Sequence, residues 1–449
     1  MKIVIAGAGE VGFHLAKLLS YEYHDITLID LDKERLTYIE SKLDIRTING
    51  DGTSITLLKE AKIKEANLVI AVSSNETVNI AISLLAKRLG AQKTIARIRN
   101  TEFIDFIEDV DFDQLGIDEL ISTELLATNE IKSLISEAAF NDMHEFEDGE
   151  LTMIGILLSG SAPFVGMSVK DAAATFPNIN FMPIAIKNLN SDKTVIPRGD
   201  TVFKADDLAY FITLKKGVED LYKLTGKRKE TIKNVMILGG SRIGERTARE
   251  LCDKKLNIKV IEKNKDRAFQ LADNLPNALV VLGDGRDVEL LEEEDVDTMD
   301  AFLGATGSAD TNIMSCLVAK SKGVKKTIAL ADNVDYSKIS QAIGIDTVVN
   351  KKLLAANSIF KFIRKGDVLD ITTLNNLNVE ILEFNVRDDS LITERIIREL
   401  DFPRNAIIGG VVRENEGVIA LGEFQIQAND KVVVCCFPEC IGRVEKLFD

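Results

Sequence analysis

The chain has 449 residues, 71 of them acidic and 55 basic, which gives a formal net charge of −16 at pH 7. A globular chain of this length forms about two to four domains. Its acidic surface repels phosphate backbones, so we expect no nucleic-acid partner. No apolar stretch approaches the roughly 20 residues of a membrane span, and the five cysteines lack metal-ligand spacing. We therefore expect a soluble, cytoplasmic protein without a metal site.

The first 30 residues follow the pattern of a strand, a glycine-rich turn, a helix and a second strand. An apolar strand over 2–6 precedes the turn, a helical pattern runs to residue 20, and the second strand ends in Asp30. The turn consists of Gly7, Ala8, Gly9, Glu10, Val11 and Gly12. Such a fingerprint binds a dinucleotide: its glycines form the turn, admit the pyrophosphate and let the helix pack closely. The alternative is a Rossmann fold that has lost its ligand.

The acid at the end of the second strand indicates which nucleotide would bind. The helix N-terminus attracts phosphate, and Asp30 can accept hydrogen bonds from ribose hydroxyls. A carboxylate at this place disfavours the 2′-phosphate of NADP. The expected cofactors are therefore NAD(H), ATP or ADP.

Further polar residues follow the third, fourth and fifth strands, at the edge where ligands of such sheets lie. Asp51 and the pair Ser73 and Ser74 would border the adenosine, although Asp51 also fits a simple turn over 50–52. Arg97 and Arg99 alternate along an extended run and would share one face. Two guanidinium groups there would distinguish three phosphates from two. The alternative for this pair is a surface ion pair with Glu102 or Asp105.

The same series of motifs recurs 232 to 233 residues later. Residues 79–96 and 312–329 are identical at 10 of 18 positions, which indicates a tandem duplication. A Leu-Leu-Ala-x-Asn helix, at 125–129 and 353–357, and a β-rich stretch follow each nucleotide-type unit.

We predict an α/β protein with two Rossmann-like, doubly wound parallel-sheet domains, each followed by a small α+β domain. The four domains are expected at 1–123, 141–225, 232–350 and 368–449, with a linker at 224–230.

The second copy departs from the fingerprint where a phosphate would approach. Four of its residues keep the pattern, namely Gly239, Gly244, Glu262 and Asp284. Ser241 replaces the central glycine, and Leu330 and Asp332 replace the two arginines. The second site is therefore expected to bind an adenine nucleotide more weakly, or with a different preference, if it binds one.

Nothing in the sequence predicts catalysis. His14, His24 and His144 have no catalytic companions at meaningful spacing, and no hydrolase or phosphate-loop motif occurs. An NAD-dependent dehydrogenase would need a Lys, His or Tyr in the crevice beside the nicotinamide. We therefore predict that the protein is not an enzyme, and keep a dehydrogenase and a freestanding nucleotide sensor as the alternatives.

The order of parts resembles the tandem regulator-of-potassium-conductance (RCK, or KTN) proteins over essentially the whole chain. The segments that carry the resemblance are 7–12, 28–30, 49–51, 75–79, 96–99 and 311–315, together with both β-rich stretches. The resemblance implies a regulatory subunit that binds NAD(H) and ATP or ADP, docks on an integral membrane potassium transporter subunit and gates it. It also implies a position at the inner face of the cell membrane, reached through that partner.

By the same resemblance the first site comprises the fingerprint glycines with Asp30, Asp51, both serines and both arginines. The second copy keeps only part of this set. We further expect a homo-oligomer, a tetramer or a dimer ring, with the Leu-Leu-Ala-x-Asn helices crossing between neighbouring domains.

Overall fold

The computed structural model describes residues 1–20, 24–106, 110–136, 142–176, 180–188, 193–224, 232–332, 343–363, 368–373, 377 and 379–448. The predicted linker lies outside these residues except for Leu224. The chain forms two compact units. The first comprises Met1–Asn129 and Asn350–Ile363, and the second comprises Glu130–Val349 and Arg364–Asp449.

A six-stranded parallel sheet forms the body of the first unit. Its strands are β1 (Lys2–Ala6), β2 (Asp25–Asp30), β3 (Arg46–Asn49), β4 (Leu68–Ala71), β5 (Lys93–Ile98) and β6 (Glu119–Ser122), in the order β3-β2-β1-β4-β5-β6. The helices are α1 (Glu10–Ser20), α2 (Lys33–Glu40), α3 (Ile55–Glu60), α4 (Glu76–Leu89), α5 (Glu102–Asp105) and α6 (Phe112–Leu115), followed by α7 (Thr123–Ser136). The strand order reverses between β1 and β4, and the resulting crevice is where ligands of such sheets bind.

The central strands are apolar along their whole length because helices cover both faces of the sheet. Every residue of β4 is buried, as are the last four residues of β1. Side chains that precede the helices fix where they begin. Asp32 accepts hydrogen bonds from the first turn of α2, and Asn75 does so for α4. Because the strands pair in parallel, the carboxyl ends of β1, β2, β4 and β5 lie at one edge of the sheet.

The second unit begins with a small antiparallel sheet, in the order β10-β9-β11-β8-β7. Its elements are β7 (Asp142–Phe146), β8 (Leu151–Leu157), α8 (Val169–Thr175), β9 (Phe181–Asn188), β10 (Lys193–Val195), β11 (Asp207–Leu214) and α9 (Val218–Leu224).

A second six-stranded parallel sheet follows in the order β14-β13-β12-β15-β16-β17, which is the order of the first. Its elements are β12 (Asn234–Leu238), α10 (Arg242–Asp253), β13 (Asn257–Glu262), α11 (Lys265–Asn274), β14 (Ala278–Leu282), α12 (Val288–Glu293), β15 (Ala301–Gly304), α13 (Ala309–Ser321), β16 (Lys326–Leu330) and β17 (Thr347–Val349). The next helix, α14 (Lys351–Ile363), belongs to the first unit.

The chain ends in another small antiparallel sheet, in the order β18-β19-β22-β20-β21. Its elements are β18 (Val368–Thr373), β19 (Glu380–Asn385), β20 (Ala406–Arg413), β21 (Glu416–Val418), β22 (Lys431–Cys436) and α15 (Ile441–Phe448). The predicted class, α/β with two Rossmann-like parallel sheets and small α+β parts, is confirmed by these four sheets.

The two small sheets share one hydrophobic core inside the second unit. Tyr210 and Ile212 of β11 are fully buried in the same cluster as Ile381 of β19 and Val433 of β22. A guanidinium nitrogen of Arg198 also donates to the carbonyl oxygen of Ala406, 3.0 Å away. The two small parts therefore pack against each other, and the first also has a hydrophobic cluster of its own that includes Phe164 and Phe211.

The two Leu-Leu-Ala-x-Asn segments lie in α7 and α14. Helix α14 comes from the second half of the sequence but packs against α1 of the first sheet. The end of α7 contacts α10 inside the second unit, where Lys132 pairs with Glu250 and Lys254 donates to Ser136 at 3.1 Å. Within the chain, each helix thus contacts a helix of the other half of the sequence, and the crossing of these helices between subunits of an oligomer stays a prediction.

Candidate functional site

The turn between β1 and α1 leaves space beside its central glycine. A Cβ built on Gly9 meets no atom within 4 Å, so packing inside the protein does not demand a glycine there. Gly12 is different, because a Cβ at that position would overlap the carbonyl oxygen of Gly7. Gly12 thus lets α1 approach the end of β1, and Gly9 leaves the adjacent space open to a ligand.

The N-terminus of α1 faces that open space without a capping side chain. The first amide groups of a helix have no partner within the helix. Gly9 precedes α1 and has no side-chain oxygen to accept from them. Amide groups in this state, together with the positive end of the helix dipole, form an anion-binding site.

Asp30 lies next to the turn, at the end of β2. Its Oδ2 accepts from the backbone N–H of Ala8 at 2.6 Å, and its Oδ1 accepts from that of Asp32 at 2.8 Å. An ionised carboxylate has about four acceptor positions, so two remain for other donors. The turn thus fixes the orientation of a carboxylate that can still accept from ribose hydroxyls.

A buried asparagine connects the ends of β4 and β5, and the sequence argument did not assign it to the site. The Oδ1 of Asn79 accepts from the N–H of Ser73 at 2.8 Å, and its Nδ2 donates to the carbonyl oxygen of Arg97 at 2.8 Å. Asn79 therefore holds two predicted site residues at one edge, while Ser74 is exposed beside them. Its signal in the sequence was the identity of Asn79 and Asn312 in the duplicated segment.

The two predicted arginines differ in exposure. Arg97 is half-buried in β5, and Arg99 is exposed one residue beyond that strand. The backbone N–H of Arg99 donates to Oε2 of Glu76 at 2.7 Å, which fixes the chain where it leaves the sheet. Both residues therefore stand at the carboxyl edge, where a phosphate chain would lie.

Asp51 stabilises a turn, which was the alternative to its predicted contact with the adenosine. Its Oδ1 accepts from both the N–H and the hydroxyl of Thr53, each at 2.8 Å. These hydrogen bonds hold the pKa of the Asp51 carboxyl below its usual value. Asp51 is exposed at the end of β3, so contact with a ligand there stays a prediction.

In the second copy, Ser241 closes the helix end that is open in the first. Its Oγ accepts from the N–H of Gly244 at 3.2 Å and donates to the carbonyl oxygen of Ala305 at 2.6 Å. Ser241 is thus the N-cap of α10. An amide that would bind phosphate already has a partner in the protein.

An arginine covers the same turn. Arg267 of α11 donates from Nε to the carbonyl oxygen of Gly240 at 2.8 Å, and from its terminal nitrogen to Oε2 of Glu245 at 2.5 Å. Glu262 accepts from the N–H of Gly240 at 2.7 Å, as Asp30 does from Ala8 in the first copy. The acid at the end of β13 is therefore retained, and the guanidinium group of Arg267 contacts the same turn.

The remaining predicted residues of the second copy keep the packing of the turn but offer less to a phosphate. Gly244 would clash with the carbonyl oxygen of Gly239 if it carried a Cβ, so the close packing of the helix is retained. Asp284 pairs with Arg286 at 2.6 Å, which lowers its pKa to about 2. Leu330 is buried at the end of β16 and offers no charge to a phosphate.

The described residues contain neither a cluster that could bind a metal ion nor a helix that could span a membrane. No group of three His, Cys, Asp or Glu side chains in the described part of the chain could hold a metal ion. Among the same residues, no helix is long and apolar enough to cross a membrane.

Comparison with protein families identifies two domain types, each present twice. The TrkA-N domain matches residues 3–123 and 235–351, and the TrkA-C domain matches residues 154–226 and 381–449. Each parallel sheet thus lies in a TrkA-N match except for its first residue, and each small antiparallel sheet lies largely in a TrkA-C match.

Curated relatives align with the whole chain. The chain is 32% identical to Trk system potassium uptake protein TrkA homolog 1 of Methanosarcina mazei, over 100% of both sequences. It is also 32% identical to Trk system potassium uptake protein TrkA of Halomonas elongata, over 100% of this chain and 98% of that protein.

Solved structures share the fold at lower identity. The GsuK RCK domain covers 100% of this chain and 94% of its own, with a TM-score of 0.61 and 16% identity. The GsuK channel bound to NAD covers 100% of this chain and 78% of its own, with the same TM-score and identity. GsuK bound to ADP covers 81% and 69% of the two chains, with a TM-score of 0.51 and 14% identity.

Proposed function

Since the chain belongs to the family of Trk system potassium uptake proteins TrkA, we propose that it is a nucleotide-binding subunit that regulates potassium uptake. In this proposal the first parallel-sheet domain binds NAD(H), ATP or ADP. The bound nucleotide alters the conformation that the protein presents to an integral membrane potassium transporter. The protein itself has no catalytic step, and it reaches the inner face of the membrane through that partner.

The open N-terminus of α1 beside Gly9 is the observation that carries the proposal. It combines unpaired amides, a positive dipole end and the adjacent Asp30 carboxylate, which together match a phosphate followed by a ribose. Two neighbours with the same fold were solved with NAD and with ADP, which supports a nucleotide in this crevice. Gly7, Gly12, Ser73 and the two arginines would complete the site.

The second parallel-sheet domain is proposed to bind nucleotide weakly or not at all. Ser241 has taken an amide of the helix N-terminus, and Arg267 covers the turn. A ligand would have to displace both interactions, and Leu330 contributes no charge in return. One dominant site per chain follows, in the first half.

A regulator needs a ligand that binds one conformation better than another. A difference of about 1 to 3 kcal/mol between the binding free energies for two conformations shifts their population ratio about 5- to 150-fold. ATP and ADP differ by one phosphate, so the cationic side chains at the carboxyl edge are suited to supply that difference. We further propose that the protein acts as a homo-oligomer, a tetramer or a dimer ring, in which such shifts combine.

Titration calorimetry of the purified chain with NADH, ATP and ADP tests the nucleotide site. We expect sub-millimolar binding with about one nucleotide per chain, and Asp30→Asn should weaken every ligand that carries a ribose. Glu262→Gln is the matched control in the second half and should leave that affinity unchanged. No binding of any of the three nucleotides would contradict the proposal. Potassium flux through co-reconstituted transporter, with and without nucleotide, then tests regulation.

A further inference from the structure

A lysine from the second half of the sequence lies at the glycine-rich turn of the first half. The Nζ of Lys352, in the first turn of α14, is 2.6 Å from Oε2 of Glu10, the first residue of α1. The two residues are 342 positions apart in the sequence. Lys352 therefore places a cation beside the helix end that is proposed to bind phosphate.

The local structure fixes the backbone from which this lysine extends. Oδ1 of Asn350 accepts from the N–H groups of Lys352 and Leu353, at 3.0 and 3.1 Å, and so begins α14. Asn350 and Leu353 are both buried, and α14 packs on α1. Only the aliphatic side chain of Lys352 needs to move for its ammonium group to change partner.

The stability of α14 does not account for a cation at this position. A positive charge in the first turn of a helix opposes the helix dipole, whereas a negative charge there is favourable. The corresponding residue of the first-half helix α7 is Glu124, which has the favourable sign. Helix α14 has no acidic residue in its first turn and carries Lys351 and Lys352 instead. The ammonium group of Lys352 thus interacts with a group outside α14 and does not stabilise its own helix.

Glu10 is a weak permanent partner for that charge. Its side chain keeps 60% of its exposure, against 26% for Lys352, so water competes for the carboxylate more than for the ammonium group. Exposed ion pairs contribute little because solvent screens them. A phosphate at the open N-terminus of α1 would carry more charge than the carboxylate and would be held by the helix end as well.

We propose that Lys352 is a nucleotide-binding residue of the first site, and that it exchanges Glu10 for a phosphate oxygen when the nucleotide binds. The inference rests on the proposed function, since it needs a nucleotide in that site. It makes the site composite, because residues of both halves of the sequence bind one ligand. Glu10 then acts as the internal competitor that holds the lysine in place when no nucleotide is present.

The test is a calorimetric titration of adenosine, AMP, ADP and ATP into the wild type, Lys352→Gln, Glu10→Gln and Lys351→Gln. The structure assigns opposite effects to the two partners of the ion pair. Lys352→Gln should weaken ADP and ATP about 5- to 10-fold and leave adenosine unchanged. Glu10→Gln should tighten ADP and ATP, because it removes a competing carboxylate. Lys351→Gln, with the same loss of charge one residue away, should change affinity less than twofold.

The outcomes separate this inference from the function on which it rests. If Lys352 only ties α14 to α1, both Lys352→Gln and Glu10→Gln will weaken binding and lower the unfolding temperature together. That result, or equal ADP affinity in the wild type and Lys352→Gln, overturns the inference and leaves the nucleotide site standing. A wild type that binds none of the four ligands overturns both.

Discussion

The glycine-rich turns of the two Rossmann-like domains share one backbone and differ in what occupies the N-terminus of the following helix. Both keep the glycine that lets the helix pack against the strand, and both keep an acid that accepts from the turn. In the first domain the helix end is open beside Gly9. In the second, Ser241 and Arg267 fill the corresponding place with hydrogen bonds of the protein itself.

The difference separates residues that maintain the fold from residues that face a ligand. After duplication, packing constraints act on both copies, so Gly12 and Gly244 are equally restricted. A constraint from phosphate acts only on a copy that binds it. The fold of the second domain accommodates a side chain at Ser241, whose hydroxyl oxygen accepts from the N–H of Gly244 as a helix cap.

The largest expected effect comes from the shared packing glycine. Gly12→Ala places a methyl group against the carbonyl oxygen of Gly7, and Gly244→Ala places one against that of Gly239. Each should lower the free energy of unfolding of its own domain by about 3 kcal/mol, because neither backbone can move away easily. Chemical denaturation followed by hydrogen exchange in each domain measures this. A loss below 1 kcal/mol in either domain would show that the turn adapts, and that the two copies are less alike than their backbones indicate.

Exchanging the central residues of the two turns, Gly9 and Ser241, should change ligand binding and leave the stability of the fold unchanged. Gly9→Ser should weaken nucleotide binding about 30-fold, which corresponds to about 2 kcal/mol, because the hydroxyl takes amides that would bind phosphate. Its stability should stay within about 0.5 kcal/mol of the wild type, since the position is open. Calorimetry and thermal unfolding give the two readouts.

The reciprocal variant sharpens the same comparison. Ser241→Gly frees the helix end of the second domain, but Arg267 still covers the turn, so only the double variant with Arg267→Ala should gain binding. A second nucleotide bound per chain would confirm that these two side chains close the site. Unchanged stoichiometry in the double variant would assign the closure to the lost arginines instead.

Local patterns in the sequence predicted the strands, the turns, the duplication and the family. They also predicted that Ser241 changes the second site, because it adds a side chain where a pyrophosphate would approach. The contacts that distant residues make with the two turns were missed. Arg267 reaches Gly240 across 27 residues, and Lys352 reaches Glu10 across 342. Which helix packs beside a turn is decided by tertiary structure, so spacing in the sequence carries no signal of either contact.

The arginines at the end of β5 are expected to set the preference between nucleotides. Replacing Arg97 with Leu and Arg99 with Asp, the residues of the second copy, should weaken ATP about 10-fold more than AMP. The cause is the loss of two cations near the distal phosphates. Titration of AMP, ADP and ATP measures the ratio. An equal loss for all three ligands would place the arginines near the ribose or in the structure of the sheet edge, and not at the phosphates.

The smallest expected effect is a loss of stability at low pH, which should occur in the first domain through α1 and not in the second domain through α10. Burial, with a smaller contribution from Lys17, lowers the pKa of His14 to about 4, so the folded protein holds a neutral imidazole. The unfolded chain binds a proton below its pKa of about 6.5, so stability falls as the pH drops from about 6.5 to 4. The loss between pH 7 and 5.5 should be about 1 kcal/mol.

The corresponding residue of the second domain is Arg246, which pairs with Glu250 at 2.9 Å and stays charged throughout this range. Burial raises the pKa of Glu250, but hydrogen bonds from Lys132 and Arg246 outweigh it and lower that pKa overall. The contribution of Glu250 is therefore lost only below about pH 4.5. Hydrogen exchange at pH 5.5 should show the first domain weakened and the second unchanged, and His14→Gln should remove the difference. If His14→Gln retains it, the acid sensitivity of the first domain arises elsewhere.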